Sequence, residues 1–197
     1  MNKVITIVLL SMILVNCSDN KDSESIEIKS PTERFNKESD INYFLNSKSN
    51  KEIYTKQVNN FIFRTSVMSS YDFLERKNTK VNKSDEIELK SESILILEIE
   101  DINLYQDVLK SKELTMSKDS TIQYLIGDIQ KDLLIEQNDK LIESHGVIYE
   151  GKNTKINKLR IMFLFHDLNR RLPFKIIYDD HIFGKGLIKF TIKKNNT

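Results

Sequence analysis

The alternation of apolar and polar residues predicts a chain rich in β-strands. Residues 94–99 (ILILEI) and 159–165 (LRIMFLF) depart from it, because they are apolar almost throughout. An apolar run this short is typical of a strand that is covered on both faces. Residues 174–178 and 188–192 alternate with a period of two, as strands with one buried face do. We therefore predict two central strands and one hairpin from these four segments.

Three more segments add strands to this picture. Residues 53–67 predict one long strand, whose inward face is clear in its second half. Residues 132–137 and 140–150 lie on either side of Asn138-Asp139. Asparagine and aspartate tolerate a positive φ, so this pair predicts a tight turn and a second hairpin.

Short helices are predicted between the strands. Ser69 and Asp72 have the spacing of a capping box, so a helix is expected from there to about residue 77. Apolar residues at helical spacing predict further short helices in residues 40–50, 102–110 and 119–130, the last with Asp119 or Ser120 as its N-cap.

The order of these elements favours a mainly β fold. They total about seven strands and three or four short helices, with neither an internal repeat nor a regular alternation of strand and helix. An antiparallel β-sandwich with helical connections fits this order best, and an α+β fold is the alternative.

A different pattern precedes the strands. Residues 4–15 carry no charge and follow Lys3. Twelve residues extend about 18 Å as a helix, which is too short for a hydrocarbon core of roughly 30 Å. A positive charge, a short apolar run and then a polar chain are typical of a secretory signal peptide.

The apolar run is followed by Leu14-Val15-Asn16-Cys17, which resembles the lipobox of bacterial lipoprotein precursors. In that family, a large aliphatic residue at −3 and a small residue at −1 precede a cysteine that is linked to diacylglycerol and becomes the acylated first residue. Leu14, Val15 and Cys17 match this pattern, and Asn16 departs from the usual Gly, Ala or Ser. The resemblance implies lipidation of Cys17.

This resemblance and the composition of the chain predict three segments. We expect a lipoprotein signal peptide in residues 1–16, a flexible tether in 17–37 and a single globular β-rich domain in 38–197. The tether is expected because residues 18–36 are charged, rich in serine and poor in large apolar side chains. Cys17 is the only cysteine, so the domain is expected to fold without a disulfide.

Charge is distributed unevenly along the chain. Residues 151–197 hold eleven Lys/Arg against three Asp, whereas residues 18–150 hold 18 Lys/Arg against 26 Asp/Glu. One interpretation is a basic face for an acidic partner such as lipid headgroups or an anionic glycan. The other is that basic C-terminal strands pair with acidic earlier strands inside one sheet.

Few residues suggest chemistry. His145 is predicted in mid-strand and His166 at the end of a strand. Neither these two nor His181 has metal-ligand spacing, so no metal site and no cofactor are expected. Asp179, Asp180 and His181 belong to an eight-residue hairpin loop, 179–186, with Gly184 and Gly186 supplying positive φ. The two aspartates could orient a base or bind a cation, or they could fix the turn through hydrogen bonds to the backbone.

The function expected from these patterns is that of a lipid-anchored cell-envelope protein with a non-enzymatic binding, structural or assembly role. Its lipid would insert into the outer membrane of a bacterium, on the periplasmic or the surface face. Another envelope protein would be its partner. No nucleic acid is expected to bind. The alternatives are a hydrolase or cation-dependent enzyme that uses residues 179–186, and a small-ligand carrier. The closing segment YDDHIFGKGLIKFTIKK also resembles the ends of uncharacterised bacterial lipoproteins, a likeness that implies no activity.

Overall fold

The computed structural model describes residues 53–104, 107–151 and 158–193. Within these ranges the fold is mainly β, with two antiparallel sheets that pack face to face. The predicted antiparallel sandwich is therefore confirmed. The predicted signal peptide, the tether and the helix in residues 40–50 lie outside the described residues.

The two sheets are built from nine strands in the described part of the chain. A five-stranded sheet has the order β1-β2-β3-β7-β6, and a four-stranded sheet has the order β5-β4-β8-β9. The strands are β1 (Tyr54–Val58), β2 (Phe61–Ser69), β3 (Ser93–Asp101), β4 (Leu133–Gln137), β5 (Lys140–Glu143), β6 (Gly146–Tyr149), β7 (Lys158–Phe165), β8 (Phe174–Asp180) and β9 (Gly186–Ile192).

Short helices connect the strands. The α-helices are α1 (Ser70–Arg76), α2 (Glu86–Ser91) and α3 (Lys118–Ile126), and two 3-10 helices span Val108–Lys110 and Asp128–Asp132. The predicted N-cap of α1 is confirmed, because Ser69 Oγ accepts a hydrogen bond of 2.9 Å from the backbone N–H of Asp72.

The largest apolar cluster fills the space between the two sheets. The five-stranded sheet contributes Phe61, Phe63, Leu95, Leu97 and Phe163, and the four-stranded sheet contributes Ile135, Ile176, Tyr178, Ile188 and Phe190. A second cluster lies on the outer face of the five-stranded sheet, where Phe73, Leu74 and Leu89 of α1 and α2 cover Ile94, Ile96, Met162 and Leu164. The central strands β3 and β7 are thus buried on both faces, as their continuous apolar runs predict.

Two predicted strands are interrupted. Residues 53–67 are not one strand, because Asn59 takes a φ of 54° and the chain reverses between β1 and β2. Residues 140–150 are not one strand either: β5 pairs with β4 in one sheet, and β6 pairs with β7 in the other. The turn at Asn138-Asp139 is confirmed, with a positive φ at both residues.

Two local predictions are corrected, and one helix was not predicted. The helix expected at 102–110 is limited, in the described residues, to the 3-10 helix Val108–Lys110. Helix α3 begins earlier than expected, because Ser117 is its N-cap, and it ends at Gly127. Helix α2 was not among the predicted helices.

Candidate functional site

The predicted hairpin loop is shorter than eight residues. Strand β8 continues to Asp180, which pairs with Gly186 at the start of β9, so only residues 181–185 form the loop. Gly184 and Gly186 have φ values of 65° and 68°, as expected from the sequence.

Asp180 is committed to the structure of this turn. Asp180 is 1% exposed. Its carboxylate accepts hydrogen bonds from the backbone N–H groups of Ile182, Phe183 and Lys185 at 3.1–3.4 Å. The hydroxyl of Tyr178 donates a further bond of 3.1 Å. Burial raises the pKa of Asp180, while the four donors act in the opposite direction. The geometry is that of a turn stabilised from inside by one side chain.

His181 lies on the surface beside Asp180 but faces two other carboxylates. Its Nδ1 lies 3.2 Å from Asp132 Oδ2, and its Nε2 lies 3.4 Å from Asp179 Oδ2. The hydroxyl of Tyr124 donates to the same oxygen of Asp132 at 2.5 Å, and burial raises the pKa of Tyr124. Asp132 thus orients the ring through Nδ1, while the ring itself is about half exposed beside Asp179. Asp179, Asp180 and His181 are thus close together, but only His181 and Asp179 face solvent.

A second polar cluster lies at one end of the five-stranded sheet and was not predicted. It contains Glu92, His145 and His166. Glu92 immediately precedes β3, and His166 immediately follows β7. Antiparallel pairing of Ser93 with Phe165 brings these two residues to the same end of the sheet.

His145 reaches the same end of the sheet because the chain changes sheet between β5 and β6. It was predicted in mid-strand, and that prediction is wrong, because Ser144 and His145 form the junction where the chain leaves one sheet for the other. Its backbone N–H donates to the carbonyl of Leu164 at 2.9 Å, next to the end of β7. Three neighbouring strand ends therefore present one polar side chain each.

His145 contacts both other members of this cluster. Glu92 Oε1 lies 3.1 Å from His145 Nε2, and the rings of His145 and His166 stack with centroids 3.6 Å apart. Ser70 Oγ donates to the other oxygen of Glu92 at 2.5 Å. The side chains of Glu92 and His145 are 6% and 28% exposed, whereas His166 is an exposed residue. Burial and the neighbouring His166 lower the pKa of His145, against the opposing effect of Glu92.

Sequence reasoning missed this cluster because its members are far apart in the chain. Glu92 and His145 are separated by 53 positions, so no short motif contains them. Only the strand order and the pairing register bring them together. The prediction that the chain has no metal site remains a prediction, and this arrangement gives a reason to revise it.

A row of charged side chains crosses the outer face of the five-stranded sheet. Arg160 of β7 bonds to Glu98 of β3 at 2.5 Å and to Glu150 at 3.1 Å. On the other sheet, Lys175 bonds to Glu136 at 2.7 Å. These contacts agree with the interpretation in which basic C-terminal strands pair with acidic earlier strands.

No helix in residues 53–104, 107–151 or 158–193 is both long enough and apolar enough to cross a membrane. No family model, curated protein or solved structure matches the chain.

Proposed function

We propose that this protein is anchored in the bacterial cell envelope by a lipid on Cys17, and that its β-sandwich has a non-enzymatic binding or assembly role there. The observation that carries the proposal is the segment Leu14-Val15-Asn16-Cys17 after twelve uncharged residues. Several acyl chains on one cysteine would form a stable anchor, because each buried CH₂ contributes about 0.8 kcal/mol. The charged segment 18–36 would then hold the domain away from the bilayer.

The geometry of the 181–185 loop gives Asp180 a structural role. Asp180 is buried and occupied by four donors, and both nitrogens of His181 face carboxylates. Asp180 is therefore committed to the turn, which removes one of the three residues that the sequence offered to the hydrolase alternative.

The interior of the sandwich argues against a small-ligand carrier. A carrier needs a cavity between its sheets, of about 300–1,000 Å³ for a typical ligand. Here the inner faces carry large side chains that are fully buried against one another, including Phe61, Phe63, Phe163 and Tyr178. A core filled in this way favours a rigid scaffold that uses its surface.

Metabolic lipid labelling tests the proposal directly. We would express the wild type, Cys17→Ser and the control Ser18→Ala in a bacterium with two membranes, supply labelled palmitate, and separate the membranes. Label in the wild type and in Ser18→Ala but not in Cys17→Ser is expected, because only the cysteine thiol can form the thioether. Absence of label from the wild type would overturn the anchor.

Protease treatment of intact cells then decides on which side the domain lies. Loss of the labelled protein would place the domain on the cell surface and direct the search to extracellular partners. Survival of the protein, with digestion only after the outer membrane is opened, would place it in the periplasm, where cross-linking would seek an envelope partner.

A further inference from the structure

The cluster at the end of β3, β7 and β6 has the composition of a transition-metal site. Two imidazoles and one carboxylate are a common set of three protein ligands for Zn²⁺, with a fourth position left for water or another ligand. One donor atom from each of Glu92, His145 and His166 lies within 4.8 Å of the others. We propose that Glu92, His145 and His166 bind a divalent first-row transition metal, and Zn²⁺ is the ion used below to test the site. This site is independent of the lipid anchor proposed above.

The contact between Glu92 and His145 already has the spacing that a shared ion needs. Ligand atoms bound to one tetrahedral Zn²⁺ at about 2.0–2.1 Å are about 3.3 Å apart. The measured distance from Glu92 Oε1 to His145 Nε2 is 3.1 Å. An ion would therefore fit between these two atoms with small adjustments.

His166 completes the set by rotating its side chain. Its ring now stacks face to face on that of His145, at an interplanar angle of 7°. His166 is an exposed residue, so its side chain is free to turn its nitrogen toward the ion. The same exposure gives the ion a path from solvent and leaves the fourth position accessible.

Surrounding contacts hold the carboxylate in place. Ser70 Oγ donates to Glu92 Oε2, which leaves Oε1 for the ion. Arg170 donates to the backbone carbonyl of Glu92 at 3.1 Å and to Ser93 Oγ at 2.7 Å, so the guanidinium fixes the chain at this point. Hydrogen bonds to the groups around metal ligands are the usual means by which proteins orient them.

The donor set also discriminates between classes of ion. Ca²⁺ and Mg²⁺ prefer sites made of oxygen atoms, and this site offers two nitrogens. Cu⁺ prefers thiolate or thioether sulfur, and none of the three residues has sulfur. Imidazole suits Zn²⁺, Cu²⁺, Ni²⁺ and Fe²⁺, so the order of affinity among these ions would follow their general order for nitrogen ligands.

Calorimetric titration with Zn²⁺ tests the site. The full chain, treated with a chelator, would be compared with His145→Ala, His166→Ala and the control His181→Ala. One Zn²⁺ per wild-type chain is expected, with at least tenfold weaker binding in His145→Ala and His166→Ala. His181→Ala removes the one histidine outside the cluster and should bind as the wild type does.

Zinc at a hundredfold excess over its dissociation constant should raise the unfolding temperature by about 5–10 °C.

His166→Ala is the decisive variant, because His166 is exposed and its loss should leave the metal-free protein folded. Co²⁺ added in place of Zn²⁺ supplies a second readout, since its visible absorption reports the ligands directly. The proposal fails if the wild type binds no zinc, if His166→Ala binds it as tightly as the wild type, or if His181→Ala abolishes the binding. Lipid labelling of Cys17 is a separate measurement, so each of the two proposals can fail without the other.

Discussion

Asp180 combines almost complete burial with four hydrogen-bond donors in a five-residue turn. A buried carboxylate is costly unless its oxygens are satisfied, and here the backbone of the turn supplies three of the donors. The loop conformation and the charged side chain therefore depend on each other.

Replacing Asp180 by alanine should destabilise the protein strongly. The substitution leaves three backbone N–H groups and the hydroxyl of Tyr178 without their acceptor, and unsatisfied buried groups cost about 1–3 kcal/mol each. A loss of about 2–4 kcal/mol in the free energy of unfolding is expected by urea denaturation, after some relaxation of the turn. Asp179→Ala, at the more exposed neighbouring carboxylate, should cost below about 1 kcal/mol. Equal losses in the two variants would contradict the role given to Asp180.

At the scale of elements, the hydrophobic pattern predicted those strands and turns whose conformation depends only on neighbouring residues. The runs at 94–99 and 159–165 predicted the two central strands because coverage on both faces leaves no polar positions. Asn138-Asp139 predicted its turn because the geometry depends on those two residues alone. Such features need no knowledge of the rest of the chain.

Other elements depend on distant partners, and pattern alone could not locate them. The residues of β5 and β6 form one alternating segment, yet the chain changes sheet between them. The Glu92, His145 and His166 cluster exists only because β3, β7 and β6 are neighbours in one sheet. A single sequence does not state which strands pair, so the site could not be predicted.

The N-caps of α1 and α2 provide a matched test at this scale. Ser69 caps α1 with its side chain, whereas Asp85 precedes α2 without making a cap hydrogen bond. Ser69→Ala should lower the free energy of unfolding by about 1 kcal/mol, because one helical N–H loses its acceptor. Asp85→Ala should change it by less than about half that amount. A larger effect at Asp85, measured by the same denaturation, would show that the caps do not contribute as their geometry indicates.

At the scale of the whole molecule, charge pairing between distant parts of the chain accounts for its uneven distribution. Basic side chains of β7, β8 and the loop before β9 meet acidic partners from earlier segments, as in Arg160–Glu98, Lys175–Glu136 and Lys185–Glu113. The excess of positive charge in residues 151–197 is therefore partly neutralised within the fold. A basic face for an acidic partner becomes a weaker explanation for the same composition.

Glu150, at the end of this row of charges, should give stability a distinct dependence on pH. Its Oε1 is buried with no hydrogen-bond partner among the described residues, and burial raises its pKa although Arg160 opposes the shift. The folded protein therefore keeps the proton to higher pH than the unfolded chain does, so this group's contribution is present at low pH. It is lost as pH rises above the usual glutamate range and through the folded pKa, with a slope below about 1.4 kcal/mol per pH unit.

Urea denaturation from pH 4 to 7 should show that Glu150→Gln loses less stability with rising pH than the wild type does. Glu143→Gln, at an exposed position of β5, controls for the loss of one negative charge. Parallel curves for the wild type and Glu150→Gln would mean that the arginine compensates fully for burial of the carboxylate.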